Sequence, residues 1–70
     1  MPTKFQRNMR ATRRRWEIPQ RELGNAVGLS AAQISSYEIA RPPSPQRARQ
    51  LLRALKSLVD KHKQEGGLNG

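Results

Sequence analysis

Apolar and small residues recur at helical spacing along most of the chain, and no strand-like alternation persists for more than a few residues. Phe5, Met9, Thr12 and Trp16 stand at i, i+4, i+7 and i+11, which predicts a helix from an N-cap at Thr3 to about Arg15. Pro19 stops that helix and suits the first turn of a second one, which runs to about Val27 and is ended by Gly28. Ser30 then reads as the N-cap of a short third helix from Ala31 to about Ile39, so Gly28, Leu29 and Ser30 alone separate the two.

Arg41-Pro42-Pro43-Ser44-Pro45 reads as a turn, with Ser44 as N-cap and Pro45 as the first residue of a last helix. That helix has the cleanest apolar stripe in the sequence: Ala48, Leu51, Leu52, Leu55, Leu58, Val59 and His62. The stripe either packs back on the first helix around Phe5 and Met9 or forms a two-fold dimer seam. The helix is expected to end near Gln64. This leaves a domain over 1–64 and a flexible C-terminal tail over 65–70. The expected fold class is all-α.

Composition narrows the function. At 70 residues the chain has room for one small domain, burying only about 60% of the surface it exposes when unfolded. The absence of cysteine excludes disulfide scaffolds, thiolate metal sites and cysteine nucleophiles. His62 is the single histidine and has no partner of its kind, so no metal and no cofactor are expected. The five acidic residues are scattered, which argues against acid–base catalysis and against an enzyme. No apolar run approaches the ~20 residues of a membrane helix, and no signal-peptide core follows Met1, so a cytoplasmic module is expected. The formal net charge of +9 points to a polyanion as partner, most often nucleic acid.

The distribution of charge says more than its total. Residues 1–19 carry Lys4, Arg7, Arg10, Arg13, Arg14 and Arg15 against Glu17 alone. Residues 20–40 carry only Arg21 against Glu22 and Glu38, and the stretch from Arg41 onward is again strongly basic. Two basic arms flanking a nearly neutral centre suit a protein that holds phosphates with its flanks and reads bases with its middle. Arg10, Arg14, Arg15 and Arg41 are the candidate phosphate contacts.

The centre, Gln20-Arg-Glu-Leu-Gly-Asn-Ala-Val-Gly28-Leu-Ser-Ala-Ala-Gln-Ile-Ser-Ser-Tyr-Glu38, resembles the helix-turn-helix of the Cro/CI-type (XRE-like) phage and plasmid repressors. Gln20, Gly24, Gly28 and Ile34 fill the positions that pattern requires: an opening glutamine, a small residue, the turn glycine and a β-branched core residue. Pro43 with Ala48, Leu51, Leu52 and Leu55 extends the resemblance, which covers roughly residues 5–58. Three features depart from the pattern. Gly24 replaces the usual alanine, Ala40 stands where a glycine usually follows the glutamate, and the fifth helix is expected to merge into a long last one.

The resemblance implies a small four- to five-helix lambda-repressor-like domain with a long C-terminal helix. It implies that the helix from Ala31 lies in the major groove and presents Ala31, Ala32, Ser35 and Ser36, with Ser30 and Gln33 at the margins. Gln33 is the only amide there able to pair with adenine, and Ala can meet a thymine methyl. It further implies an amide–phosphate contact from Gln20 and a structural ion pair between Arg13 and Glu38. The partner implied is double-stranded DNA, a palindromic operator bound by a homodimer with half-sites ~34 Å apart. No membrane partner and no small-molecule ligand are expected, and the DNA-bound protein would sit on the nucleoid. The alternatives are an antitoxin-type autorepressor of a toxin–antitoxin operon and a basic adaptor binding RNA or protein.

Overall fold

Four helices follow one another in the computed structural model: α1 (Lys4–Arg15), α2 (Gln20–Val27), α3 (Ala31–Ile39) and α4 (Pro45–Asn69). Backbone is described for residues 3–69 and side chains for residues 3–64, and no strand occurs among them. The fold is the expected small all-α domain with a long, uninterrupted last helix.

The helix starts follow local chemistry. Thr3 caps α1 through a reciprocal capping box, its hydroxyl accepting from the Gln6 N–H at 3.1 Å while Gln6 Oε1 accepts from the Thr3 N–H at 2.8 Å. Ser44 Oγ accepts from the Arg47 N–H at 3.2 Å and opens α4. Pro19 is the N-cap of α2, one position before the first turn in which it was expected. It has no side-chain acceptor to offer, but its carbonyl accepts from the N–H groups of Glu22 and Leu23.

The helix ends differ from one another. At the end of α1 the Ile18 N–H donates to the Arg13 carbonyl at 2.8 Å and the Glu17 N–H to the Arg14 carbonyl at 3.1 Å. This is a Schellman closure, but its left-handed position is held by Glu17, at φ 54°, and not by glycine. The exit from α3 needs no left-handed residue. Ala40 stays at φ −109°, and the Arg41 N–H closes on the Ser36 carbonyl at 3.0 Å, so the glycine that Ala40 replaces is not required. Helix α4 continues through Asn69, past its expected end near Gln64. Gly66 and Gly67 weaken a helix, but unlike proline they keep their backbone donors, and no residue from Glu65 to Asn69 forces a stop. The flexibility expected of the 65–70 tail concerns residues whose side chains lie outside the described set.

The core is Met9, Ile18, Leu23, Ile34, Leu51 and Leu55, each contributing about 1.5–3 kcal/mol by leaving water. Phe5, Trp16, Tyr37, Leu58 and Val59 pack around it. The apolar stripe of α4 therefore packs back onto the domain, and Leu52 is its one member left substantially exposed, at 45%. Helix α4 lies against α1 and α2, while α3 is held mainly by α2 and α1.

Candidate nucleic-acid interface

Helices α2 and α3 cross over a turn that two glycines make possible. Gly28 sits at φ 74°, a conformation that L side chains rarely adopt. Gly24 is buried, and a Cβ on it would stand 2.5 Å from the Leu29 carbonyl oxygen. The turn thus folds directly against the Gly24 backbone, and the Leu29 N–H seals it by donating to the Gly24 carbonyl at 2.8 Å. A glycine in place of the usual alanine is the consequence of this close approach.

The orientation of α3 is fixed from α1. The Arg13 guanidinium donates from Nε to Glu38 Oε2 at 2.7 Å and from Nη2 to Oε1 at 3.0 Å, a two-pronged ion pair. Its remaining nitrogen, Nη1, donates to the Ile18 carbonyl at 3.1 Å. The Glu38 carboxylate is 1% exposed, and Gln20 Nε2 donates to its Oε1 at 3.2 Å. The ion pair implied for Arg13 and Glu38 is formed, and Gln20 joins it. A second tie, which the sequence pattern does not announce, runs through buried Gln6. Its Nε2 donates to the Tyr37 carbonyl at 2.8 Å, satisfying an acceptor near the end of α3. Among the described residues every buried side-chain polar atom has a partner.

What α3 turns outward is nearly neutral. Ile34 and Glu38 are buried and Tyr37 half-buried, so the opposite face presents Ala32 and Ser36, with Ala31 and Ser35 half-buried beside them. Ile39 continues that face at i, i+4 and i+7 from Ala32 and is 67% exposed. It is the one large apolar side chain on this surface. Its spacing from Ala32 was readable in the sequence, but its place at the helix end disguised it.

Ser30 and Gln33 are engaged with each other. Ser30 Oγ accepts from the Gln33 N–H at 3.2 Å, and Gln33 Oε1 accepts from the Ser30 N–H at 2.9 Å. This capping box leaves the Gln33 amide nitrogen as its free donor, so a two-pronged pairing with adenine competes with the cap. Gln20 is similarly divided. One of its two amide hydrogens goes to Glu38, and one remains for an outside acceptor at the start of α2.

The basic residues flank this unit in sequence. Arg10, Arg14, Arg15 and Arg41 are all exposed. Among the described residues none of the four forms an ion pair; the pairs present are Arg13–Glu38 and a 3.3 Å contact between His62 and Glu22. The flanks thus keep their positive charge uncompensated, while the one arginine of the first arm with a buried acidic partner is structural.

Two packed helices joined over a glycine turn, a locked second helix with a free outer face, and exposed, unpaired arginines in the flanking segments make up a helix-turn-helix unit. A family model described as helix-turn-helix matches residues 9–60, and the chain belongs to that family, the Cro/CI-type (XRE-like) class of DNA-binding regulators. No curated protein and no solved structure matches the chain. No described helix is long and apolar enough to cross a membrane.

Proposed function

We propose that the protein is a sequence-specific double-stranded DNA-binding repressor of the Cro type, acting as a homodimer on a palindromic operator. The observation that carries this reading is the Arg13–Glu38–Gln20 network, which sets α3 rigidly against α1 and α2 with its Ala32–Ser36–Ile39 face outward. A rigid element with small polar and apolar side chains suits the major groove. Serines meet several base edges, and Ala32 and Ile39 suit thymine methyl groups. Ser35, Ala31 and the margin residues Ser30 and Gln33 complete the reading surface. The free amide hydrogen of Gln20 and the unpaired Arg10, Arg14, Arg15 and Arg41 hold phosphates on either side. Small side chains discriminate weakly, so the phosphate term dominates affinity and makes binding steeply salt-dependent. Leu52, exposed on α4, is available to a dimer seam.

In vitro selection from a randomised duplex pool tests this reading. The expected product is a palindrome with half-sites ~10 bp apart, matching a dimer with two-fold symmetry. A pool that binds without enrichment of any sequence would sink the repressor reading and favour a basic adaptor.

A further inference from the structure

Trp16, the chain's single tryptophan, sits at the end of α1 with its indole half-buried against the core. Two cations address this one ring. The Arg15 guanidinium carbon lies 5.9 Å from the ring centroid and the Lys63 Nζ 5.7 Å from it. Both side chains are exposed, and neither makes an ion pair among the described residues. Glu17, next in sequence to Trp16, and Asp60, one turn before Lys63, pair with neither of them.

Stability accounts for little of this arrangement. A cation over a half-buried indole at the surface gains little, and a second cation on the same ring repels the first and offsets part of that gain. What results is a pair of uncompensated positive charges fixed by a ring that the core itself holds. Such a pair is already ordered for an anion, so less side-chain entropy is lost when one binds.

The position identifies the anion. His62, the residue before Lys63, reaches Glu22 in the first turn of α2 at 3.3 Å, so α4 comes alongside the start of α2. Lys63 is thereby brought to the end of α1, where it shares the Trp16 ring with Arg15, one of the phosphate contacts proposed above. Lys63 also falls beyond the span matched by the family model, so nothing carries over to it from the family. We infer that Arg15 and Lys63, held on the Trp16 ring, form a clamp for the DNA phosphate backbone outside the α2–α3 reading unit, which makes the C-terminal half of α4 part of the DNA-binding surface. The inference rests on the DNA-binding reading above and adds to it a contact from the last helix.

The test uses the full chain, an enriched duplex and the single variant Lys63→Gln, which leaves the Arg15 contact in place. The plot of log binding constant against log salt should flatten by about 0.9, the value for one phosphate, with the preferred sequence unchanged. An unchanged slope in a variant that still binds overturns the clamp and leaves the DNA-binding reading intact. Absence of binding to any duplex by the unaltered chain overturns both. Trp16 emission gives a second readout that does not depend on a variant folding. Duplex should change it to saturation in step with binding, whereas inorganic phosphate at matched concentration should not. Emission indifferent to duplex, or equally responsive to inorganic phosphate, overturns a clamp specific for the DNA backbone.

Discussion

The Glu38 carboxylate, at the end of the helix expected in the groove, is held at both oxygens by the Arg13 guanidinium from 25 residues earlier, at 2.7 and 3.0 Å. The same guanidinium donates to the Ile18 carbonyl in the segment leading to α2. One side chain therefore ties together the end of α1, the entry to α2 and the end of α3. The Arg13 side chain is 13% exposed and that of Glu38 1%, so the pair lies in the interior and is not a surface bridge.

Removing one member of such a pair strands the other. Arg13→Met should cost about 3–5 kcal/mol, well above the ~0–1 kcal/mol of an exposed pair, because Gln20 alone cannot compensate a buried carboxylate. Chemical denaturation of the two proteins without DNA measures this directly. A loss below ~1 kcal/mol would show that the network is not what sets α3 in place.

Gly24 sets helix propensity against space. Alanine should favour α2 by about 0.5–1 kcal/mol, but its Cβ would stand 2.5 Å from a backbone oxygen of the turn, which cannot swing aside as a side-chain tip can. Gly24→Ala is expected to destabilise by about 1–3 kcal/mol, the range for overpacked sites. A melting temperature raised by the substitution would contradict this close approach.

Glu17 presents the reverse case. It holds the left-handed position that closes α1, at φ 54°, with an exposed side chain and no ion pair among the described residues. That conformation costs an ordinary L residue about 1–2 kcal/mol, and asparagine bears it better. Glu17→Asn should therefore stabilise the free protein by about 0.5–1 kcal/mol, read from thermal unfolding. A destabilised variant would mean that Glu17 makes a favourable contribution this conformation does not explain.

The helices and the glycine turn were legible in the sequence because each rests on local spacing, and the Arg13–Glu38 pair was implied by the family resemblance. Thr3, Ser30 and Ser44 marked helix starts by their own chemistry, and Gly28 marked the turn. The rest depends on what tertiary contact brings near. Gln6 is an ordinary polar residue until α3 supplies the Tyr37 carbonyl, and Gln20, marked by the motif for a phosphate, gives no sign of the Glu38 carboxylate it also meets. Ile18 belongs to no periodic stretch, and the α1 closure alone carries it into the core. Nothing local marks a glutamate for a left-handed position, so Glu17 could not be foreseen. The Gln33 capping box was readable from Ser30-x-x-Gln33, although the same amide also suggested adenine.

That double role can be separated. Gln33→Glu keeps an acceptor for the Ser30 N–H but removes the amide donor, whereas Gln33→Ala removes both. The glutamate variant should unfold within ~0.5 kcal/mol of the parent, and the alanine variant should lose about 0.5–1 kcal/mol. Both should relax the base preference at one position of each half-site in a repeated selection. If that preference survives both substitutions, Gln33 serves the cap alone.

The central claim is that a rigid, nearly neutral α3 face reads sequence between flanks that hold phosphates. Its most direct test is the dissociation constant of the chain on the enriched duplex and on a scrambled duplex of equal composition, each across ~50–200 mM salt. The account predicts two steep lines separated by ~10³ or more at every salt concentration, since phosphate contacts supply the slope and base contacts the separation. Lines that coincide would mean that charge alone binds DNA and that α3 reads nothing.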